Sequence, residues 1–236
     1  MNSPKPKVFD ASLFVSVPHG FVLPPRPSAW PKKLCGAREC IESAIYMASQ
    51  IELVDHEASS FRPDRVRSAY FRASLSELCR IEDIIQSTDG NYSFYNSADP
   101  SLHLIKLLRN YQIHVSAIPL SAGQVTVQLS GETAVYQGYI ASNVNAEDLQ
   151  SLRSSKGYTL AQLTELVQLF DLHQRVFGVT QFFYHLAKRV EAIAQRALTP
   201  RSTRTPPALP VLLFLALAYS ASFGASVQAV PVSFIR

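Results

Sequence analysis

The segment Asp-Pro-Ser-Leu-His-Leu-Ile-Lys-Leu-Leu-Arg-Asn-Tyr-Gln-Ile-His-Val-Ser-Ala, residues 99–117, carries the clearest helix signal in the chain. The Asp99 carboxylate can accept from orphan amides of a first turn, and Pro100 suits the first helical position, where its missing N–H costs nothing. Leu104, Leu107, Leu108, Tyr111 and Val115 recur at three and four, so one face is apolar. The helix is expected to run to about Ala117 and to stop before Pro119. Asn110 and His114 lie one turn apart, and Arg109 is one step round with a side chain long enough to reach the same space.

The segments on either side also read mainly as helix. Ile41, Ala44, Ile45, Ala48 and Ile51 place an apolar stripe on a helix from Ala37 to about Asp55. Pro63 and Asp64 open a second helix to Gln86, with Val66, Tyr70, Ala73, Leu78, Ile81 and Ile85 expected inside. Asp89-Gly90-Asn91 turns the chain into a loop bearing Tyr92, Phe94 and Tyr95. Beyond the 99–117 segment, Val125, Val127 and Leu129 alternate, Ser130-Gly131 follows, and Val135 and Tyr139 resume the period, as in a β-hairpin at about 124–140. Thr159 and Gln162 resemble a capping box opening a helix through Leu172; Gly178 bends or breaks it, and Thr180 to about Leu198 continues it.

The reading is therefore a mainly α domain over 37–198, an antiparallel helical bundle with a small β-hairpin insertion. Seven prolines before residue 37 make 1–36 an irregular, extended arm, although Phe14, Val15, Val17, Phe21, Val22 and Leu23 suggest that part of it packs. Residues 199–236 form a basic, Pro-rich linker and an apolar tail without charge from Thr205 to Phe234. That tail reads either as a membrane anchor or as a docked or disordered terminus, since serines dilute its second half. Lys5 and Lys7 precede only a short apolar run broken by Pro18 and Gly20, so no secretory signal is read and a cytoplasmic location is expected, with tail anchoring as the alternative.

The apolar share of 47% is ample for a core, and the net charge of +4 taken alone points to a polyanion partner. Its distribution argues otherwise. Residues 39–198 hold thirteen basic against seventeen acidic side chains, and the excess sits in the termini. Nucleic-acid binding must then come from a local site, because no domain-wide positive field exists. Cys35, Cys40 and Cys79 are odd in number and unpaired by spacing, so neither a disulfide framework nor a zinc site is expected.

Arg109, Asn110 and His114 could converge on one small anion. A histidine near neutrality can give or take a proton. An arginine holds a phosphate through two parallel bonds and steadies its growing charge, and an asparagine orients either without titrating. This Arg-Asn-x-x-x-His run, late on a capped third helix, resembles the signature of the HEPN superfamily, over roughly residues 37–198. Many members are metal-independent ribonucleases of toxin, antiphage and RNA-processing systems. The resemblance implies two protomers with these helices side by side and a cleft built from both motifs. His114 would transfer protons as a ribose 2′-hydroxyl attacks the adjacent phosphate. Arg109 would stabilise the transition state, and Asn110 would orient His114 or the phosphate. No cofactor or metal is implied; the partners are RNA, a second copy, and an antitoxin or other regulatory protein. His103 and Tyr111 are the substrate-contact candidates.

The alternative is a non-catalytic HEPN-like scaffold that binds a protein partner. The chain departs from nucleotidylation-silenced relatives, because Val115, Ser116 and Ala117 follow the histidine where a tyrosine is usual. Asp55-His56-Glu57, Asp171-Leu172-His173 and Tyr184-His185 read as helix surface, His103 as a surface or boundary residue, and the arginines of the second helix mainly as intrahelical pairs. No Walker loop, dinucleotide fingerprint, G-x-S-x-G elbow or H-E-x-x-H is present.

Overall fold

Asp99 and Pro100 start a helix as their chemistry dictates. In the computed structural model, which describes residues 6–15, 20–21, 23–30, 35–54, 61–129, 132–198 and 227–229, the Asp99 carboxylate accepts from Ser101 N–H and Pro100 is the first helical residue. The chain is mainly helical with a small antiparallel sheet. Its elements are α1 (Cys35–Leu53), α2 (Pro63–Gln86), α3 (Pro100–His114), β1 (Leu120–Leu129), β2 (Glu132–Ala141), a short α4 (Ala146–Gln150), α5 (Leu160–Leu198) and β3 (Val227–Ala229). β1 and β2 pair from Leu120 opposite Ala141 to Leu129 opposite Glu132, and β3 pairs along the other edge of β1.

α1 and α2 run antiparallel: Ser74 Oγ donates to Ala44 O, and Arg67 donates to Ile51 O and Val54 O at the other end. That arginine is 4% exposed and stacks over the Tyr139 ring at 4.2 Å. One side chain thus satisfies carbonyls that the end of α1 leaves without intrahelical partners and ties them to β2. All five residues of the α1 stripe are buried. On α2 the buried face is rotated by one position in its first half. Phe71, Ser74 and Leu75 are inside, whereas Val66, Tyr70 and Ala73 are only half-buried, because the Phe71 ring meets Phe183 of α5 edge-on at 5.2 Å. The volume of that aromatic pair decides the rotation.

α3 ends at His114, three residues before the boundary expected from its periodicity. Val115 and Ser116 both donate to Tyr111 O, so the last turn widens. The chain then leaves the helix so that Ile118, 1% exposed, can enter the core while Val115 to Ala117 stay at the surface. Ser68 Oγ caps the Ile118 carbonyl.

α5 begins with a complete capping box: Thr159 N–H donates to Gln162 Oε1, and Gln162 N–H donates to Thr159 Oγ1. It bends at Gly178, whose φ of 77° and ψ of 164° are open to glycine and strained for other residues. β2 crosses at the bend, where Gln174 holds both backbone groups of Ala141, accepting from its N–H at 2.7 Å and donating to its carbonyl at 3.0 Å. The N-terminal arm lies on the helices. Phe14 and Val15 are buried, Phe21 exchanges two hydrogen bonds with Gln181, and Glu191 accepts from Ser28 N–H and Trp30 Nε1. No helix among the described residues is long and apolar enough to cross a membrane. The tail read as an anchor lies outside the described residues, apart from β3.

Replacing Gly178 with alanine forces a side chain into that backbone conformation beside the Tyr139 carbonyl, 3.6 Å from the added Cβ. The expected loss of unfolding free energy in urea titration is about 1–3 kcal/mol; an unchanged midpoint would show that the bend carries no strain.

Candidate functional site

The last two turns of α3 place Arg109 and Asn110 half-buried and His114 exposed. Arg109 Nη1 donates to Asn110 Oδ1 at 3.1 Å, and Asn110 Nδ2 donates to the Tyr95 hydroxyl at 3.4 Å. The amide is therefore oriented from behind by Tyr95 and presents its oxygen to the guanidinium. No hydrogen bond joins Asn110 to His114 among the described residues, so the asparagine aligns the arginine and not the histidine. Arg109 has no ion-pair partner among the described residues, and its Nε is buried without a hydrogen bond. Arg109 lies near the buried Cys79, whose thiol burial pushes up to about 12 while the guanidinium charge opposes the rise.

Behind this pair stands an aromatic and cationic cluster. The ring of Tyr95 lies under two ammonium groups, Lys106 Nζ at 4.6 Å and Lys7 Nζ at 5.1 Å from its centroid. Lys106 pairs at 2.5 Å with Glu82, which is 1% exposed and whose other oxygen accepts from Phe94 N–H. Burial pushes the Tyr95 hydroxyl up to about 12, so it stays protonated near neutrality.

The two substrate-contact candidates are differently placed. His103 is not a surface or boundary residue: it is fully buried, with Nε2 2.7 Å from Ser97 O and Nδ1 2.6 Å from the Tyr158 hydroxyl. A carbonyl only accepts, so Nε2 carries the proton and Nδ1 accepts from Tyr158. Burial, with Lys7 nearby, holds this imidazole below its ordinary value against the opposing pull of the Ser97 carbonyl. Both nitrogens are taken, and the ring contributes to the wall behind Tyr95 at a centroid distance of 6.2 Å. Tyr111 is 6% exposed, and its hydroxyl donates to Asp148 of α4 at 3.2 Å. It faces that helix.

Three further readings meet the structure. Asp55-His56-Glu57 lies outside the described residues. The α2 arginines divide: Arg62 pairs with Asp64 and Arg80 with Glu77, but Arg67 is the buried cap of α1. His173 and His185, read as surface, are buried against each other, Nε2 to Nδ1 at 3.3 Å. Twelve positions put them about 120° apart on a straight helix. The bend at Gly178 removes that separation, and Phe21 of the arm covers His185 at 5.0 Å.

Tyr95, Lys7 and Glu82 were missed as site residues. The aromatic loop before Asp99 and the place of Lys106, one turn ahead of Arg109 and Asn110, were the available signals. No family model, curated protein or solved structure matches this chain.

The buried imidazoles give a pH dependence. Burial pushes His173 down to about 4 from an ordinary 6.5. Between those values the unfolded chain binds a proton that the folded chain does not, so stability falls as pH falls across that window. His103 shifts in the same direction. Denaturation at pH 7 and pH 5 of wild type and His173→Gln should show the wild type losing roughly 2 kcal/mol more than the variant. Parallel losses in the two proteins would contradict the assignment.

Proposed function

We propose that the protein is a HEPN-type endoribonuclease that acts as a homodimer on single-stranded or loop RNA, in the defence or toxin setting that the superfamily resemblance implies. The observation carrying this reading is the solvent-reachable Arg109–Asn110 pair set one turn before the exposed His114 on α3. A catalytic reading requires these groups to meet solvent in the isolated chain, and they do.

In the proposed reaction His114 moves protons while the ribose 2′-hydroxyl attacks the adjacent phosphorus and the 5′-oxygen departs. Arg109 lies against the phosphate as charge builds on its oxygens. Asn110 orients the guanidinium, where the resemblance implied that it would orient His114 or the phosphate. The products are a 2′,3′-cyclic phosphate and a 5′-hydroxyl. A second copy brings its own α3 alongside and completes the cleft. Ile113 and Val115, each 48% exposed beside His114, give that contact an apolar edge.

The same two residues favour the scaffold reading as an alternative, because an apolar helix end can serve a partner without chemistry. One set of assays separates the two. Purified protein incubated with mixed RNA in EDTA should yield cyclic-phosphate ends, and His114→Ala should slow cleavage by about 10²–10⁴. Equal cleavage by that variant overturns the proposal. Ile113→Asp should abolish activity together with the dimer in sedimentation.

A further inference from the structure

The folded body has an acidic excess over residues 39–198, so it can hold a polyanion only where cations are gathered against that background. They are gathered around Tyr95. Lys7 and Lys106 both lie over its ring, within about 10 Å of each other, and Arg109 reaches its hydroxyl through Asn110. Of the three, only Lys106 has a carboxylate partner among the described residues, and Glu82 is buried beneath it. All three cations are half-buried and still reach solvent. The cluster therefore holds two positive charges in excess, in a setting where water screens them less than on an open surface.

Lys7 is held at its main chain. Its N–H donates to Gly157 O and its carbonyl accepts from Gln162 Nε2, both at 2.8 Å, so the arm is pinned at its backbone to the capping box of α5. Phe9, two residues on, packs edge-on against His103 at 5.5 Å. The ammonium is thus delivered to Tyr95 from a fixed main chain. Burial and the charge of Lys106 hold the Lys7 amine below its ordinary value, the mark of a cation placed where an anion would relieve it.

We propose that Lys7, Lys106 and Arg109 form one phosphate-binding strip around Tyr95, on which the backbone of single-stranded RNA lies next to the cleaved bond, with the N-terminal arm supplying its outer cation. This rests on the ribonuclease reading. Arg109 meets the reacting phosphate, Lys106 and Lys7 meet phosphates further along the strand, and Tyr95 and Asn110 are positioning residues. A domain without this arm would keep Arg109 and His114 and lose one backbone contact.

The test uses full-length His114→Ala, which should hold RNA uncut, titrated with fluorescein-labelled oligouridylate by anisotropy at several salt concentrations. Adding Lys7→Met should weaken binding about three- to tenfold at low salt and make the slope of log affinity against log salt shallower by about 0.7, the value for one lost contact to a single strand. Lys7→Arg should restore both. Arg38→Met removes a charge from α1, where Arg38 pairs with Glu42, and should leave the slope unchanged. Thermal melts confirm that each variant is folded. An unchanged slope in Lys7→Met, or an equal loss in Arg38→Met, overturns the strip. Failure of the His114→Ala parent to bind RNA at all overturns the ribonuclease reading itself.

Discussion

The bend at Gly178 is the constraint on which the rest of the arrangement depends. A straight helix of the 39 residues from Leu160 to Leu198 would be about 58 Å long. Bent, its two halves both face inward. The first packs Leu163, Leu166 and Phe170, and the second packs Val179, Phe182, Phe183 and Leu186. The bend also lets β2 approach closely enough for Gln174 to replace a neighbouring strand for Ala141. The hairpin is thereby rooted in the core, which brings Tyr139 to Arg67 and closes the end of α1. One residue lacking a Cβ supports a chain of contacts through α5, β2, α2 and α1.

α3 is buried along most of its length and reaches the surface only in its last two residues, Ile113 and His114. Leu102, Leu104, Leu107 and Leu108 are fully buried, Arg109 and Asn110 are half-buried, and His114 is exposed. The early exit of the chain after His114, forced by the burial of Ile118, makes this histidine the last helical residue. The same exit frees Ile113 and Val115 to meet another surface. Burial of Ile118 and exposure of His114 are thus two results of one packing event.

What was legible in the sequence was local. Asp99-Pro100, Thr159 with Gln162 and the α1 stripe each depend on residues within a few positions of one another, and each forms as read; the hairpin forms too, over a longer span, Leu120–Leu129 with Glu132–Ala141, than the 124–140 expected. Gly178 was legible as a bend, yet its consequence, the meeting of His173 with His185, depends on where two half-helices point and leaves no periodic trace. α4 is five residues long, too short for a period to show, and only the Asn145 cap marks it. Arg109, Asn110 and His114 were legible by spacing. Tyr95 and Lys7 were not, because what joins them to the motif is loop and arm geometry. The exposure expected for His103 failed for the same reason: Tyr158 and Ser97, its partners, come from separate segments.

The docked arm has a consequence for the order in which the molecule comes together. Its contacts pair Lys7 with Gly157, Phe21 with Gln181 and Ser28 with Glu191, among the widest sequence separations in the chain. Closing such loops comes late, after α1 and α2, which are adjacent in the sequence, have found each other. On the ribosome the arm emerges before the helices it lies on and must wait for nearly the whole of α5 before it has a surface. A nascent chain therefore possesses α3 long before it possesses a seated arm, and an early segment takes its place among the last.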